Sequence, residues 1–452
     1  MAEATDAADL PHEREYPSLG AANYALILLF LAYVLSFIDR QILSLLVGPI
    51  REQFGITDFQ YSLLQGAAFA LLYTFAGLPL GRLADRYSRK WVVASSVAFW
   101  SLATAACGMV KNFTQLFVAR MAVGAGEAGL APPAYSIITD SYRPSHFGYA
   151  MAFYKSAVKV GGALALILGG FLIDFYTARG AFEVPIIGTI YPWQAVLMTV
   201  GLPGLLLALL ISTMTEPVRK DVVATQSGEL QLPITTVATF LWRRRRTYLS
   251  LFLGSSMLAM AGYGSAAWYP EFFVRTYGVS KTVAGSAFGS IILVGGSLGV
   301  MLGPWIANWL AARGHTDSYV RAIMYSSMLA VVPAVAAPLM GDFHLTLVLL
   351  FPATMFGGAY LGVMAASFQP ITPNQMRGQT TAMYIFVTNI LGMAVGTSIL
   401  AAFTDFLYQS DDALNLSIAT LNGIMYPAAV ALFAYCLPGY RRSHAEIGKW
   451  VL

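Results

Sequence analysis

Apolar runs of about twenty residues recur from Ala21 to near Leu437, separated by short polar breaks. A run of that length crosses the hydrocarbon core of a bilayer as one helix. Read between the breaks, the pattern predicts twelve spans: 21–47, 58–82, 91–110, 114–139, 146–173, 193–213, 248–272, 281–312, 319–340, 343–370, 378–404 and 418–438. The longest break, 214–247, divides them six and six, and its segments TEPVRKD and WRRRR suit a linker with a short amphipathic stretch at the membrane surface. The expected parts are therefore a tail over 1–20, a six-helix bundle over 21–213, the linker, a second bundle over 248–438 and a tail over 439–452.

The two halves echo one another. A shift of 223 residues lays GITDFQYSLLQG, from Gly55, on GVSKTVAGSAFG, from Gly278, and carries LAD (Leu83 to Asp85) onto IAN (Ile306 to Asn308). A second echo sets RPSHFGYAMAFY, from Arg143, near QMRGQTTAMYIF, from Gln375. Six spans per half keep the two copies in the same orientation. The fold class expected is an all-α membrane protein of twelve transmembrane helices in two pseudo-symmetric bundles, and parallel repeats of this kind enclose a central site that opens alternately to either side.

Composition agrees: of 452 residues, 57% are hydrophobic and 11% charged. The net charge of +4 is too small and too scattered to suggest nucleic-acid binding. The first twenty residues are polar and acidic, without the apolar stretch of a cleavable signal, so the first span is expected to serve in targeting. Cys107 and Cys436 each fall inside an apolar run and read as buried free thiols. Basic residues concentrate in one set of loops, at Arg86, Arg89, Lys90, Arg143, Arg219, Lys220, Arg243 to Arg246, Arg313, Arg377, Arg441 and Arg442. The other loops hold chiefly Arg51, Lys111, Arg179, Arg275 and Lys281, with the acids Asp174, Glu183, Asp405, Asp411 and Asp412. The positive-inside rule then puts both termini and the linker in the cytoplasm.

A few ionisable residues interrupt the spans: Asp39 and Arg40 in the first, Arg120 and Glu127 in the fourth, Lys155 and Lys159 in the fifth. A charge at mid-membrane costs roughly 2.5–3.5 kcal/mol on insertion scales and needs a partner, water or a task. Asp39 lies roughly 12 Å from the outer end of its helix and Arg120 roughly 9 Å from the outer end of the antiparallel fourth, so opposite charges reach similar depth. Glu127 is seven residues past Arg120, on the same face and about 10 Å deeper. The small residues of RMAVGAGEAG, Arg120 to Gly129, leave room beside these charges. Either acid can gain a proton while neither arginine readily loses one, so Asp39 and Glu127 are the expected proton carriers and Arg40 and Arg120 their charge partners. A static ion-pair network that fixes helix packing is the alternative. Lys155 and Lys159, four apart on one face, suit either a gate contact or packing.

The stretch GRLADRYSRK, Gly81 to Lys90, resembles the signature loop of the major facilitator superfamily, with Ser88 at a position usually held by Gly. The resemblance implies a cytoplasmic latch: Gly81 allows close packing, Asp85 meets the N-terminus of a neighbouring helix, expected to be the eleventh, and Arg86, Arg89 and Lys90 bridge other groups. The second copy, with Asn308 for the acid, would be weaker. Together with FIDRQ (Phe37 to Gln41) and RMAVGAGEAG, the loop is similar to the spinster family within that superfamily. This implies proton-linked transport of lysolipid-like or sphingoid-phosphate-like amphiphiles in eukaryotic members, with Asp39, Arg40, Arg120 and Glu127 in the coupling and headgroup positions, and a fifth span at the bundle interface. The expected localisation is a bacterial inner membrane.

The first half supplies cations, and the second supplies aromatics such as Tyr263, Trp268, Tyr269, Tyr360 and Phe368. An anionic or zwitterionic amphiphile could rest its headgroup near Arg40 or Arg120 and its chain against the apolar half. Any one of those aromatics could instead face lipid. A small organic anion such as a sugar acid would use the same arginines, with Gln65 and Asn389 among the few polar helix residues. A receptor or scaffold that transports nothing is the reading from another class. No HExxH or Walker motif occurs and the His residues lie in tail or loop regions, so an enzyme, a metal site, a cofactor or ATP-driven transport is not expected. The expected partners are substrate, protons and membrane lipids, around a monomer.

Overall fold

Helix ends in this chain are set by small polar caps and glycines. The Oγ of Ser18 accepts from Ala21 N, Asn112 from Gln115 N and Asp342 from Leu345 N, each at the start of a helix. The computed structural model describes residues 16–185, 188–219 and 233–447; Lys220, most of the N-terminal tail, the middle of the linker and the last five positions lie outside the described residues. Twelve helices follow in order: α1 Leu19–Leu45, α2 Asp58–Arg86, α3 Arg89–Cys107, α4 in two pieces (Phe113–Glu127 and Ala131–Ser141), α5 Pro144–Arg179, α6 Pro192–Thr213, α7 Arg245–Tyr277, α8 Lys281–Ala311, α9 Ser318–Leu339, α10 Phe343–Phe368, α11 Asn374–Tyr408 and α12 Asp411–Ala445. Ten are long and apolar enough to cross a membrane; α4, which is broken, and α7 are the other two. A short hairpin, β1 Phe182–Val184 with β2 Gly188–Ile190, joins α5 to α6, and a separate linker helix, Ile234–Arg243, precedes α7.

The predicted spans all correspond to helices, and the repeat is visible in backbone geometry. Gly55, which closes a short helix Val47–Phe54 between α1 and α2, and Gly278, 223 residues on at the end of α7, both have positive φ (62° and 64°), and two residues later Thr57 and Ser280 both cap the next helix. A left-handed residue costs glycine little, which is why the echo keeps glycine at that point. The bundles meet along α5 with α8 and along α2 with α11, two pairings that the repeat interchanges. Close approach at these seams is made by glycine: a Cβ on Gly285 would lie 2.1 Å from Leu166 O, and one on Gly170 2.4 Å from Lys281 O.

The ion pairs that join the two bundles among the described residues all lie at the face opposite the start of α1 and the end of α12. Arg275 holds Asp58 through two bonds of 2.7 and 2.9 Å, and Arg51 bridges Asp58 at 3.0 Å and Asp411 at 3.1 Å. Asp405 accepts from Phe59 N, Asp174 from Thr282, and Lys281 Nζ donates to Leu45 O. That face is shut.

Candidate functional site

Asp39, Arg120 and Glu127 are all at most 3% exposed and meet in the seam between α1, α3 and α4. Helical side chains lean toward their own N-terminus, so Arg40 reaches down α1 to Glu127 Oε2, which it holds at 2.7 Å through Nε. Ser36, one turn earlier, donates to the same oxygen at 2.5 Å. Arg120 Nη1 donates to the carbonyl of Asp39 at 3.3 Å, while the Asp39 carboxylate turns to Thr104 Oγ1 on α3 at 3.2 Å. Two ties therefore join α1 to α4, Arg40 to Glu127 and Arg120 to the backbone of Asp39, while the Asp39 carboxylate itself turns to α3. One oxygen of each acid, Asp39 Oδ1 and Glu127 Oε1, has no hydrogen-bond partner, nor do Nε and Nη2 of Arg120.

Arg40 also sits in an aromatic cage, its guanidinium carbon 4.9 Å from the Phe37 ring, 4.5 Å from Phe69 and 4.6 Å from Tyr73. Cation–π contact of this kind holds a charge at low cost after desolvation. Sequence reading missed this cage: Phe37 entered only as the first residue of FIDRQ, and the i, i+4 spacing of Phe69 and Tyr73 on α2 looks like any apolar stripe. Room for the seam comes from glycine, as expected: a Cβ on Gly124 would lie 2.4 Å from Phe69 O, and one on Gly126 2.8 Å from Trp100 Cβ. The expected continuous fourth span is interrupted immediately after Glu127, and Pro132 and Pro133 restart the helix.

Between the bundles lies a cavity of about 220 Å³, lined by α1, α5, α7, α8, α9, α10 and α12. Its walls are mostly apolar, with Tyr263, Tyr269, Tyr360 and Tyr426 and a polar group of Gln41, Ser265, Thr354 and Asn422. Lys159 is the one cation on its lining, and no carboxylate bonds to it among the described residues. Its chain lies across the interface against Gly296 of α8, where an added Cβ would meet Nζ at 3.0 Å. Of the aromatics expected here, Tyr263, Tyr269 and Tyr360 line the cavity. Trp268 does not: it is fully buried near the shut face, its Nε1 donating to Thr397 O at 3.4 Å beside Tyr61. Phe368 packs on Phe252 and Tyr384. Gln65 bonds across the bundles to Ala267 O, and Asn389 is not on this lining. Lys155 points away, over the Tyr135 ring at 5.9 Å. Asn422 was missed because its position near the start of the predicted twelfth span resembles a helix end; it accepts from Ser265 and donates to Ala334 O.

The GRLADRYSRK stretch is held from an unexpected side. Glu216, from the segment after α6, caps the start of α3, accepting from Ser88 Oγ, from Arg89 N at 2.9 Å and from Lys90 N at 3.4 Å. Arg219 caps the end of α2, donating to the carbonyls of Ala84, Asp85 and Tyr87. Arg89 is 1% exposed and bonds Glu216, Ser136, Asp140 and Pro217 O, all within the first half. Burial alone would raise the Glu216 carboxyl, but these donors outweigh it and hold it below the usual carboxylate range. Asp85 and Arg86 are exposed, Lys90 stands over Trp91, and a Cβ on Gly81 would touch nothing within 4 Å, so the close packing expected of Gly81 is absent in this conformation.

The family model of the Major Facilitator Superfamily matches residues 29–397. An MFS-type efflux pump of Mycolicibacterium smegmatis is 26% identical over 92% of this chain and 93% of its own. A probable L-galactonate transporter of Escherichia coli K12 is 27% identical over 66% of this chain and 64% of its own. Among solved structures, a bacterial homolog of the human lysosomal transporter Spinster, inward-facing and unoccupied, superposes with a TM-score of 0.74 and 25% identity, covering 96% of this chain and all of that one.

Proposed function

The chain belongs to the Major Facilitator Superfamily, as a spinster-like multi-pass membrane transporter, and from this we propose that it is a proton-coupled secondary transporter of an anionic or zwitterionic amphiphile. The observation that carries the substrate class is Lys159, an unpaired ammonium in a cavity whose remaining walls are apolar or tyrosine. A buried charge without a partner is costly, and an anionic headgroup would supply the missing countercharge while an apolar chain covers Leu258, Phe288 and Leu350. Arg40, with 13% of its side chain exposed, is a second headgroup position once Glu127 lets it go.

Coupling rests on Glu127 and Asp39. Protonation of Glu127 would weaken its hold on Arg40 and free that cation for the substrate; departure of the proton would restore the pair. Proton and anion then stabilise the same state, which is the requirement for linkage between them. We place both ends of the chain and the linker in the cytoplasm of a bacterial inner membrane. On that orientation the shut face is outer and the conformation faces inward, in keeping with the inward-facing relative. The protein would act as a monomer.

A small sugar acid is the second reading, favoured by the galactonate-transporter relative and by Asn422, Ser265 and Thr354 on the cavity wall. Purified protein in proteoliposomes, with an imposed pH gradient, separates the two. Gradient-driven movement of a lysophospholipid, absent for galactonate, is expected; the reverse result would establish the sugar-acid reading, and movement of neither would overturn the substrate class.

A further inference from the structure

We propose that a second, basic pocket, between the linker helix and the α7 and α12 ends beside it, binds the phosphate headgroup of an anionic phospholipid. The pocket, of about 620 Å³, is lined by Arg243, Arg244, Arg245, Arg246 and Arg442 against a single acid, Glu446. It lies where α7 begins and α12 ends, and on the twelve-span reading that is the depth at which lipid headgroups lie. None of its residues belongs to the central cavity, and the inference is independent of the transported substrate.

The arginines divide into two groups. Arg244 is held by Glu446 at 2.9 Å and lies over the Phe240 ring at 4.2 Å; Arg246 donates to Tyr435 O at 3.1 Å and lies over that ring at 4.5 Å. These two are committed to the protein. Arg243, Arg245 and Arg442 have no carboxylate partner among the described residues, yet line the same pocket. Guanidinium groups present paired N–H donors that match phosphate oxygens, so the three are preset for a phosphate monoanion or diester.

The rim argues for a lipid rather than a soluble phosphate. Trp242 is 65% exposed, Tyr435 57% and Leu249 45%, all bordering the arginines. The linker helix buries Val237 and Phe240 against the protein and leaves Trp242 outward. Exposed aromatics beside clustered arginines are the arrangement expected at the headgroup level, where rings meet acyl chains and cations meet phosphates. A free phosphate ester would use the cations and leave that apolar rim unused.

The test is native mass spectrometry of the purified full chain, offered equal amounts of phosphatidylglycerol and phosphatidylcholine. Wild type should retain phosphatidylglycerol in preference by roughly tenfold or more, and the triple variant Arg243→Gln, Arg245→Gln, Arg442→Gln should fall to near parity. Arg313→Gln, on another basic loop of the same half, should keep the wild-type preference. Should the triple variant not fold, each single variant should lower the preference about twofold or more. An unchanged preference in the triple or single variants, or equal loss in Arg313→Gln, would overturn the site. Displacement of the lipid by millimolar glycerol phosphate would overturn the lipid assignment, because a soluble ester would then suffice.

Discussion

Arg40 and Asp39 are neighbours in sequence but turn to different partners, Arg40 to Glu127 on α4 and Asp39 to Thr104 on α3. This separation gives the two acids different expected phenotypes. Glu127→Gln removes the charge that holds Arg40, so accumulation driven by a pH gradient should fall to the level of passive exchange while substrate binding persists. Asp39→Asn keeps the bond to Thr104 and should reduce the gradient effect less. Flux in proteoliposomes with and without a gradient reads both; full gradient-driven uptake by Glu127→Gln would assign the proton to Asp39. Lys159→Gln removes one charge-assisted contact, worth about 1.5–3 kcal/mol, and should weaken binding of an anionic substrate roughly tenfold to a hundredfold with a neutral analogue unaffected. Direct binding by calorimetry or fluorescence measures it. The four seam charges were legible because charges inside apolar runs are rare. Their pairing was not, because depth along a helix does not specify which way a long side chain leans.

At the scale of elements, α4 shows why backbone detail outran the sequence. Apolar content carries through residues 128–130, so the span reads as continuous, yet the helix ends at Glu127 and restarts at Ala131. The double proline was the available signal. The glycines before the break were legible as close packing and are found in it, so Gly124→Leu should clash with the α2 backbone at Phe69 and lower stability by about 1–3 kcal/mol, as overpacking does. Thermal unfolding in detergent would show this as a lowered Tm. The loop between α2 and α3 teaches the opposite lesson. Its basic residues were expected to bridge other groups without the partners being named, and Arg89 is buried on Asp140 and Glu216, because the segment after α6 caps both helix ends at once. Distant capping of this kind leaves no periodic trace in sequence. Since the Glu216 carboxyl is held below its usual range, its contribution to stability is complete above about pH 4.3 and is lost as pH falls through the lowered value. Wild type should therefore lose Tm below that pH more steeply than Glu216→Gln, while being the more stable of the two at neutral pH.

For the whole molecule, two sets of charges stand at opposite faces, and only one is engaged between the bundles. Asp58 has its side chain fully buried and takes three arginine contacts, two from Arg275 of the second half and one from Arg51, which also bridges Asp411. Asp85, at the other face, is exposed and has no ion pair among the described residues. The repeat in the sequence foretold two bundles and two faces; it could not tell which face would be shut, because that depends on pairs such as Arg275 with Asp58 that form in one state only. Alternating access implies that each set stabilises the state in which its own face is closed. Asp58→Asn should therefore shift the population toward the conformation open at the Asp58 face. Loss of a buried pair costs about 3 kcal/mol, enough to move a two-state ratio by roughly a hundredfold. Asp85→Asn should act in the other direction and more weakly, and the double variant should lie between the two singles. Pulsed electron resonance distances between spin labels placed on α1 and α7 near the Asp58 face, and on α4 and α10 near the Asp85 face, measure this directly. Lengthening at the first pair with shortening at the second is expected in Asp58→Asn. If both distances stay at wild-type values, the Asp58 cluster is a packing feature, and closure of that face must rest on the glycine seam of α5 and α8 instead.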